Sequence, residues 1–326
     1  MPEPHRVIVQ TVQWYFRSVY GRHEGLDLLP FYCDPARVGH FAVEPGKLAA
    51  GDNDALFRLF IALSMFQGVR DVVVMRRQRT LSRATVASIV VPSEIQQNVA
   101  QSRCSVLLTD DFASSCSVMK TPSGLDCSHM RGAPCHVKTA AAAFKRMASM
   151  GKLPTSAWMT VANAGGMRGL LRAVIEECDA PDERASRLVS RLMAVHRVGR
   201  KLSTMFVGAL STPALAYGLT PWFPEIDGYG LIVVDTNVSR AVDQLRRSDA
   251  PRTYDSRSKW ITSQAQRIDL RQFSSNVPRH SPRLVQQALY AYCSKSNRTA
   301  AGDRCAQRRT PCDECNPLCP FTAVDS

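Results

Sequence analysis

Apolar residues recur along this chain at spacings of three and four far more often than at spacings of two, the mark of helices rather than strands. His5–Tyr20 carries Val7, Val9, Val12, Trp14, Phe16 and Val19 and reads as a buried helix. A loop with Pro30, Cys33, Pro35 and Pro45 follows. Asp54 then reads as the N-cap of a helix running through Leu56, Phe57, Leu59, Phe60, Ile61 and Leu63 to Gln67. That helix is apolar on nearly every side, so it belongs at the centre of a lobe. Residues 76–92 are basic, then mixed, and residues 93–137 show no clear period and read as an insertion or irregular loop. Helical pattern returns at Thr139–Met150 and again at Arg168–Cys178.

The most regular stretch follows. Asp182 reads as a cap, and Ala185, Leu188, Val189, Leu192 and Val195 share one face. A short turn, His196-Arg197-Val198-Gly199, separates this helix from a second with Leu202, Met205, Phe206, Ala209 and Leu210 on its apolar side. Pro213 to Gly230 is a loop rich in Pro, Gly and aromatic residues. Leu231-Ile232-Val233-Val234 leads from it into Asp235, the predicted N-cap of a helix through Leu245. Residues 248–282 look irregular and polar, and Pro282 opens a last helix to Tyr292. With no internal repeat and few period-two runs, the expected fold class is mostly α.

Composition sharpens this picture in two ways. Lys and Arg number 41 against 28 Asp and Glu, a formal charge of +13, which favours a polyanionic partner such as nucleic acid. Eleven cysteines are an odd number, so internal disulfides cannot account for all of them. Met1-Pro2-Glu3-Pro4-His5 does not resemble a signal peptide, and no apolar run approaches a membrane span. The expectation is a reducing, cytosol-like compartment, where clustered cysteines usually serve metal binding or catalysis. Cys305, Cys312, Cys315 and Cys319 make such a cluster, spaced C-x6-C-x2-C-x3-C. Four thiolates suit a [4Fe–4S] cluster or Zn2+. Cys104, Cys116, Cys127 and Cys135, with His129 and His136, have irregular spacings and receive no role.

Three segments together resemble the helix-hairpin-helix DNA glycosylases of the endonuclease III type. Val195-His196-Arg197-Val198-Gly199-Arg200-Lys201 is similar to that family's Leu-Pro-Gly-Val-Gly-Arg-Lys turn, and Val233-Val234-Asp235-Thr236-Asn237-Val238-Ser239-Arg240 to its Val-Asp-Thr-His-Val-x-Arg segment. The terminal cysteines resemble its iron–sulfur loop, and Leu63-Ser64-Met65-Phe66-Gln67 with Asp71 resembles its Leu-Ser-x-Gln-x-x-Asp stretch. The match is patchy, over Ala55–Asp71 and then Asp182 to Pro320. It also departs from the family. Arg197 stands at the first glycine of the turn and His196 at its proline, the 34 residues from Lys201 to Asp235 exceed the family's gap, and the last cysteine spacing is shorter.

The resemblance implies a two-lobed glycosylase fold. Residues 1–50 would pack with the C-terminal lobe, 51–230 would form a helical barrel lobe with 93–137 inserted, and 231–326 would form the C-terminal lobe with the metal loop. It implies base excision and apurinic-site lyase activity, with Lys201 as Schiff-base nucleophile and Asp235 as catalytic carboxylate across one groove. Gln67 would fill the hole left by an extruded nucleotide. Arg197, Gly199 and Arg200 would hold phosphates, with outward N–H groups at the turn and added positive charge. The expected partner is double-stranded DNA, bound by a monomer with no membrane association, in the cytoplasm with the nucleoid or in a nucleus or organelle. The residues alone also admit blander roles. Lys201 can be a phosphate ligand, Asp235 a plain helix cap and Gln67 a helix-end polar residue. Trp222, Phe223 and Tyr229 can stack on a base or pack locally. A monofunctional glycosylase and a non-catalytic DNA-binding protein with a zinc-stabilised tail are the alternatives.

Overall fold

A computed structural model describes residues 3–20, 29–68, 70–109, 112–116, 118, 134–144, 150–303, 305 and 314–321. Every regular element among them is helical. The longer helices are α1 (Pro4–Ser18), α2 (Asn53–Ser64), α3 (Asp71–Thr80), α4 (Arg83–Val90), α5 (Pro92–Ser102), α6 (Leu153–Asn163) and α7 (Met167–Glu177). They continue with α8 (Pro181–Leu192), α9 (Arg200–Ser211), α10 (Thr236–Leu245), α11 (Tyr254–Ala265), α12 (Pro282–Cys293) and the short α13 (Lys295–Ala300). The chain divides into a middle unit, Leu29–Asp227, and a terminal unit made of Met1–Leu28 and Gly228–Ser326.

The middle unit is built around α2. Asp52, not Asp54, caps it, because Asp52 holds extended backbone and its Oδ1 accepts from the N–H groups of Asp54 (3.1 Å) and Ala55 (2.9 Å). Leu56, Phe57, Leu59, Phe60, Ile61 and Leu63 are all buried, each contributing about 2 kcal/mol of hydrophobic free energy. A helix apolar on every side needs neighbours on every side, and α4, α6, α7 and α9 supply them. Phe60 meets Phe206 of α9 edge-on at 4.9 Å, and Phe206 meets Trp222 at 5.4 Å. Trp222 is buried and donates its backbone N–H to Leu210, so its role is local packing.

Several expected boundaries move. The α2 helix stops at Ser64, so Gln67 lies in the turn beyond it. The first part of 93–137 is regular, not irregular. Pro92 opens α5, whose Ile95 and Val99 are buried, and Val99 joins a small core with Leu107, Phe112, Cys116, Val118 and Val137. In place of one helix over 139–150 there is a short helix, His136–Ala140, continued by a 3-10 turn, Ala141–Phe144, and residues 145–149 lie outside the described residues. The α8 helix is capped at Ala180 with Pro181 in its first turn, which makes Asp182 a first-turn acid facing the positive helix end. In α9, Met205 and Ala209 are only half-buried, while Ser203, Thr204 and Ser211 lie inside.

Residues 29–50 fall in the middle unit, whereas the expected boundary placed 1–50 with the C-terminal lobe. Packing explains the difference. Phe31 stacks edge-on against Phe66 at 5.4 Å, and Gly39, at φ +58, passes so close to α3 that a Cβ there would sit 2.8 Å from the Arg79 Cα. Arg168 adds a further tie by donating to the carbonyls of Gly51 (2.9 Å) and Ala50 (3.1 Å).

In the terminal unit, α12 is the buried centre, packed by α1, α10, α11 and α13. Ile8, Val12 and Trp14 of α1 and Leu284, Val285, Ala288, Leu289 and Tyr292 of α12 are buried, with Trp14 edge-on to Tyr292 at 5.1 Å. The α11 helix occupies part of the stretch read as irregular. Only its Ile261 and Ala265 are buried, so its sequence carries almost no apolar stripe.

Candidate functional site

The hairpin is present in the middle unit. Contacts join α8 to α9, and the Val198 N–H closes the turn onto the Val195 carbonyl at 3.0 Å. Val195 and Val198 are buried, which anchors the turn from below, while Arg197, Gly199 and Arg200 are exposed. The left-handed residue of the turn is Arg197, at φ +65. Gly199, the residue expected to need such freedom, has φ −88 and ψ −179, extended backbone open to any residue. A Cβ at Gly199 would meet nothing within 4 Å, so the protein itself does not demand glycine there. What Gly199 supplies is a bare helix start. It offers no side-chain cap to α9.

Lys201 follows in the first turn of α9, half-buried. Its Nζ donates to the Phe66 carbonyl at 3.2 Å, a contact spanning 135 residues of sequence. Phe66 directly precedes Gln67. Two predicted site residues are thus brought together within one unit, the lysine resting on the turn that carries the glutamine. Gln67 is half-buried, with its Nε2 folded back onto the Ser64 carbonyl at 2.6 Å, so it caps the end of α2. Phe66 and Phe31 support this corner, and the sequence pattern singled out neither for that task. Arg76, Arg79 and Arg83 are exposed along α3 and the start of α4 of the same unit, and Arg77 is half-buried.

Asp235 belongs to the terminal unit, and Lys201 to the middle unit. Asp235 is the N-cap of α10, its Oδ1 accepting from the Val238 N–H at 2.8 Å. The backbone leading to it is held from two sides. The Val233 N–H donates to Gln286 Oε1 at 3.3 Å, and Arg283 Nη1 donates to the same oxygen at 2.6 Å. Tyr254 donates to the Ile232 carbonyl at 2.5 Å and accepts from the Val234 N–H at 3.3 Å. These partners fix the carboxylate's approach to the surface. Arg283 is buried, and burial lowers its pKa to about 10, with Tyr15 and Tyr254 opposing the shift.

Of the four terminal cysteines, Cys305, Cys315 and Cys319 are described, while Cys312 lies outside the described residues, as do Cys127 and His129. Among the described residues no three His, Cys, Asp or Glu side chains gather closely enough to hold a metal ion. Arg298 is fully buried with its Nη2 3.6 Å from Cys305 Sγ, and its Nη1 has no hydrogen-bond partner among the described residues. Burial pushes the Cys293 thiol up to about 12, with Asp235 and Cys319 adding to the shift and Arg240 and Arg298 opposing it. No helix among the described residues is long and apolar enough to cross a membrane.

No family model, curated protein or solved structure matches the chain.

Proposed function

We propose that this chain is a base-excision DNA glycosylase with apurinic-site lyase activity. The observation that carries the proposal is the corner where Lys201, in the first turn after a hairpin, meets the carbonyl immediately before Gln67. The hairpin would bind phosphates through the first-turn N–H groups of α9 and through Arg197 and Arg200. Gln67 would leave its carbonyl partner and fill the gap of an extruded nucleotide. The Lys201 amine, deprotonated, would attack C1′. The new N–C1′ bond forms as the glycosidic bond breaks, and its electron pair leaves with the base, which takes up a proton. The aminal so formed then opens: the C1′–O4′ bond breaks, O4′ takes its electron pair and a proton, and the resulting iminium permits loss of the C2′ proton and departure of the 3′ phosphate, which cuts the strand. The Asp235 carboxylate would stabilise positive charge on the sugar, a role compatible with capping α10 because the cap orients it.

Cys305, Cys312, Cys315 and Cys319 would hold a [4Fe–4S] cluster, or Zn2+ in its place, which when bound supplies a structural crosslink. The partner would be double-stranded DNA, engaged by a single chain. The charge of +13 and the exposed arginines of α3 and the hairpin support that partner.

Borohydride trapping on lesion-bearing or abasic duplex tests the proposal. The wild-type chain is expected to cross-link to DNA and Lys201→Ala is not; equal trapping by the two removes Lys201 from the mechanism. The bond from Lys201 to Phe66 also favours a second reading, in which the lysine only steadies the Gln67 turn and Asp235 activates water. Base release without strand nicking, retained in Lys201→Ala and lost in Asp235→Asn, selects that reading.

A further inference from the structure

We propose that Tyr254 is a positioning residue for the Asp235 carboxylate, acting with Gln286 through the backbone that leads into that aspartate. The inference rests on the reading of Asp235 as the carboxylate of base excision, and it holds whether that carboxylate stabilises the sugar or activates water. Leu231, Ile232, Val233 and Val234 are all buried and belong to no helix. Buried backbone needs hydrogen-bond partners, and no strand among the described residues supplies them. Side chains do so instead. Tyr254, the first residue of α11, donates its hydroxyl proton to the Ile232 carbonyl at 2.5 Å and accepts from the Val234 N–H at 3.3 Å. One oxygen thus staples two residues immediately ahead of Asp235. Gln286 of α12 takes the N–H between them, from Val233 at 3.3 Å.

Arg283 settles which way Gln286 faces. An amide can present oxygen or nitrogen, but a guanidinium only donates. Arg283 Nη1 lies 2.6 Å from Gln286 Oε1, so that oxygen is turned toward both the guanidinium and the Val233 N–H. Arg283 is itself 7% exposed, and among the described residues no carboxylate balances its charge. A cation buried on neutral partners costs stability rather than adding to it. What Arg283 supplies is orientation. Its backbone N–H donates to the Tyr229 carbonyl at 3.0 Å, and its side chain sets the amide that holds Val233. Beyond the aspartate, Oδ1 accepts from the Val238 N–H at 2.8 Å. The carboxylate is therefore held along the chain from both directions, by α10 after it and by two side chains before it. A reacting group displaced by about 1 Å loses about 100-fold in rate.

The test uses the full chain and duplexes carrying thymine glycol, 8-oxoguanine, uracil or a mismatch. Single-turnover base release at saturating protein and duplex affinity are measured for the wild type and for Tyr254→Phe, which keeps the ring and removes the hydroxyl. Release is expected to slow about 10- to 100-fold with duplex affinity unchanged. Release at the wild-type rate overturns the proposal. So does an equal loss of rate and affinity, which marks general damage to the fold. Should Tyr254→Phe fail to fold, Gln286→Met decides, because it keeps a side chain of similar length and loses the acceptor for the Val233 N–H. Slower release at unchanged affinity then supports the proposal, and the wild-type rate or a matched loss overturns it. A wild-type chain that releases no base from any of these duplexes refutes the reading of Asp235 itself and the proposal with it, a result seen without either variant.

Discussion

Arg197 shows how much one residue can carry. Left-handed backbone costs a residue with a Cβ about 1 kcal/mol, and Arg197 stands exposed in that conformation just ahead of α9. Arg197→Gly is therefore expected to raise stability by about 1 kcal/mol in denaturant melts while weakening DNA binding. A stability gain with unchanged DNA affinity would leave the side chain without a phosphate to hold.

Asp243 is the converse case, a residue whose task is internal. It accepts from Arg257 (2.6 Å) and Arg246 (2.7 Å), and the Arg246 side chain is only 4% exposed. The hydrogen bond from Arg257 holds the Asp243 carboxyl below the usual range, against the opposing effect of burial, with Arg246 helping. Its stabilising contribution is thus complete above the ordinary carboxylate pKa and fades as pH falls through the lowered folded value. Asp243→Asn removes the negative charge that pairs two largely buried guanidinium groups and is expected to cost about 3 kcal/mol at neutral pH, with a smaller penalty in acid. Calorimetry at two pH values checks both statements.

At the scale of elements, the sequence was readable where a cap and a stripe coincided. Asp235 announced α10 and Pro282 announced α12, and both helices form with the expected caps or first turns. It was unreadable where burial is slight or polar. The α11 helix buries Ile261 and Ala265 alone, so no stripe marks it, although Thr253 caps it by accepting from the Ser256 N–H at 3.1 Å. The inner face of α9 includes Ser203, Thr204 and Ser211, which period-based reading assigns to the outside. The hairpin itself was legible as helix, turn, helix, but the position of its left-handed residue was not. A glycine in the sequence drew attention to 199, whereas the backbone places the unusual φ at 197. The Lys201–Phe66 contact was equally invisible, because no local pattern links residues 135 apart. The burial of Arg298 is visible only in the tertiary packing.

For the whole molecule, charge makes the strongest claim. An excess of 13 positive charges predicts DNA affinity that falls steeply with salt. Arg197→Ala and Arg200→Ala are each expected to lower the slope of log affinity against log salt by about 1, with little change in lesion preference, as measured by titration at several salt concentrations. An unchanged slope would take the hairpin out of the phosphate contacts. Domain organisation was only partly legible. The pairing of the first helix with the last third of the chain was anticipated, but the aromatic and glycine contacts that hold 29–50 against α2 and α3 left no periodic trace.

The terminal unit is discontinuous, and this bears on how the protein is born. A ribosome releases α1, with Ile8, Val12 and Trp14 bare, long before Leu284, Leu289 and Tyr292 exist to cover them. During synthesis the middle unit can settle on its own while that first helix stays an unshielded sticky segment. Translation that stalls ahead of α12 would release chains that clump through their own beginnings.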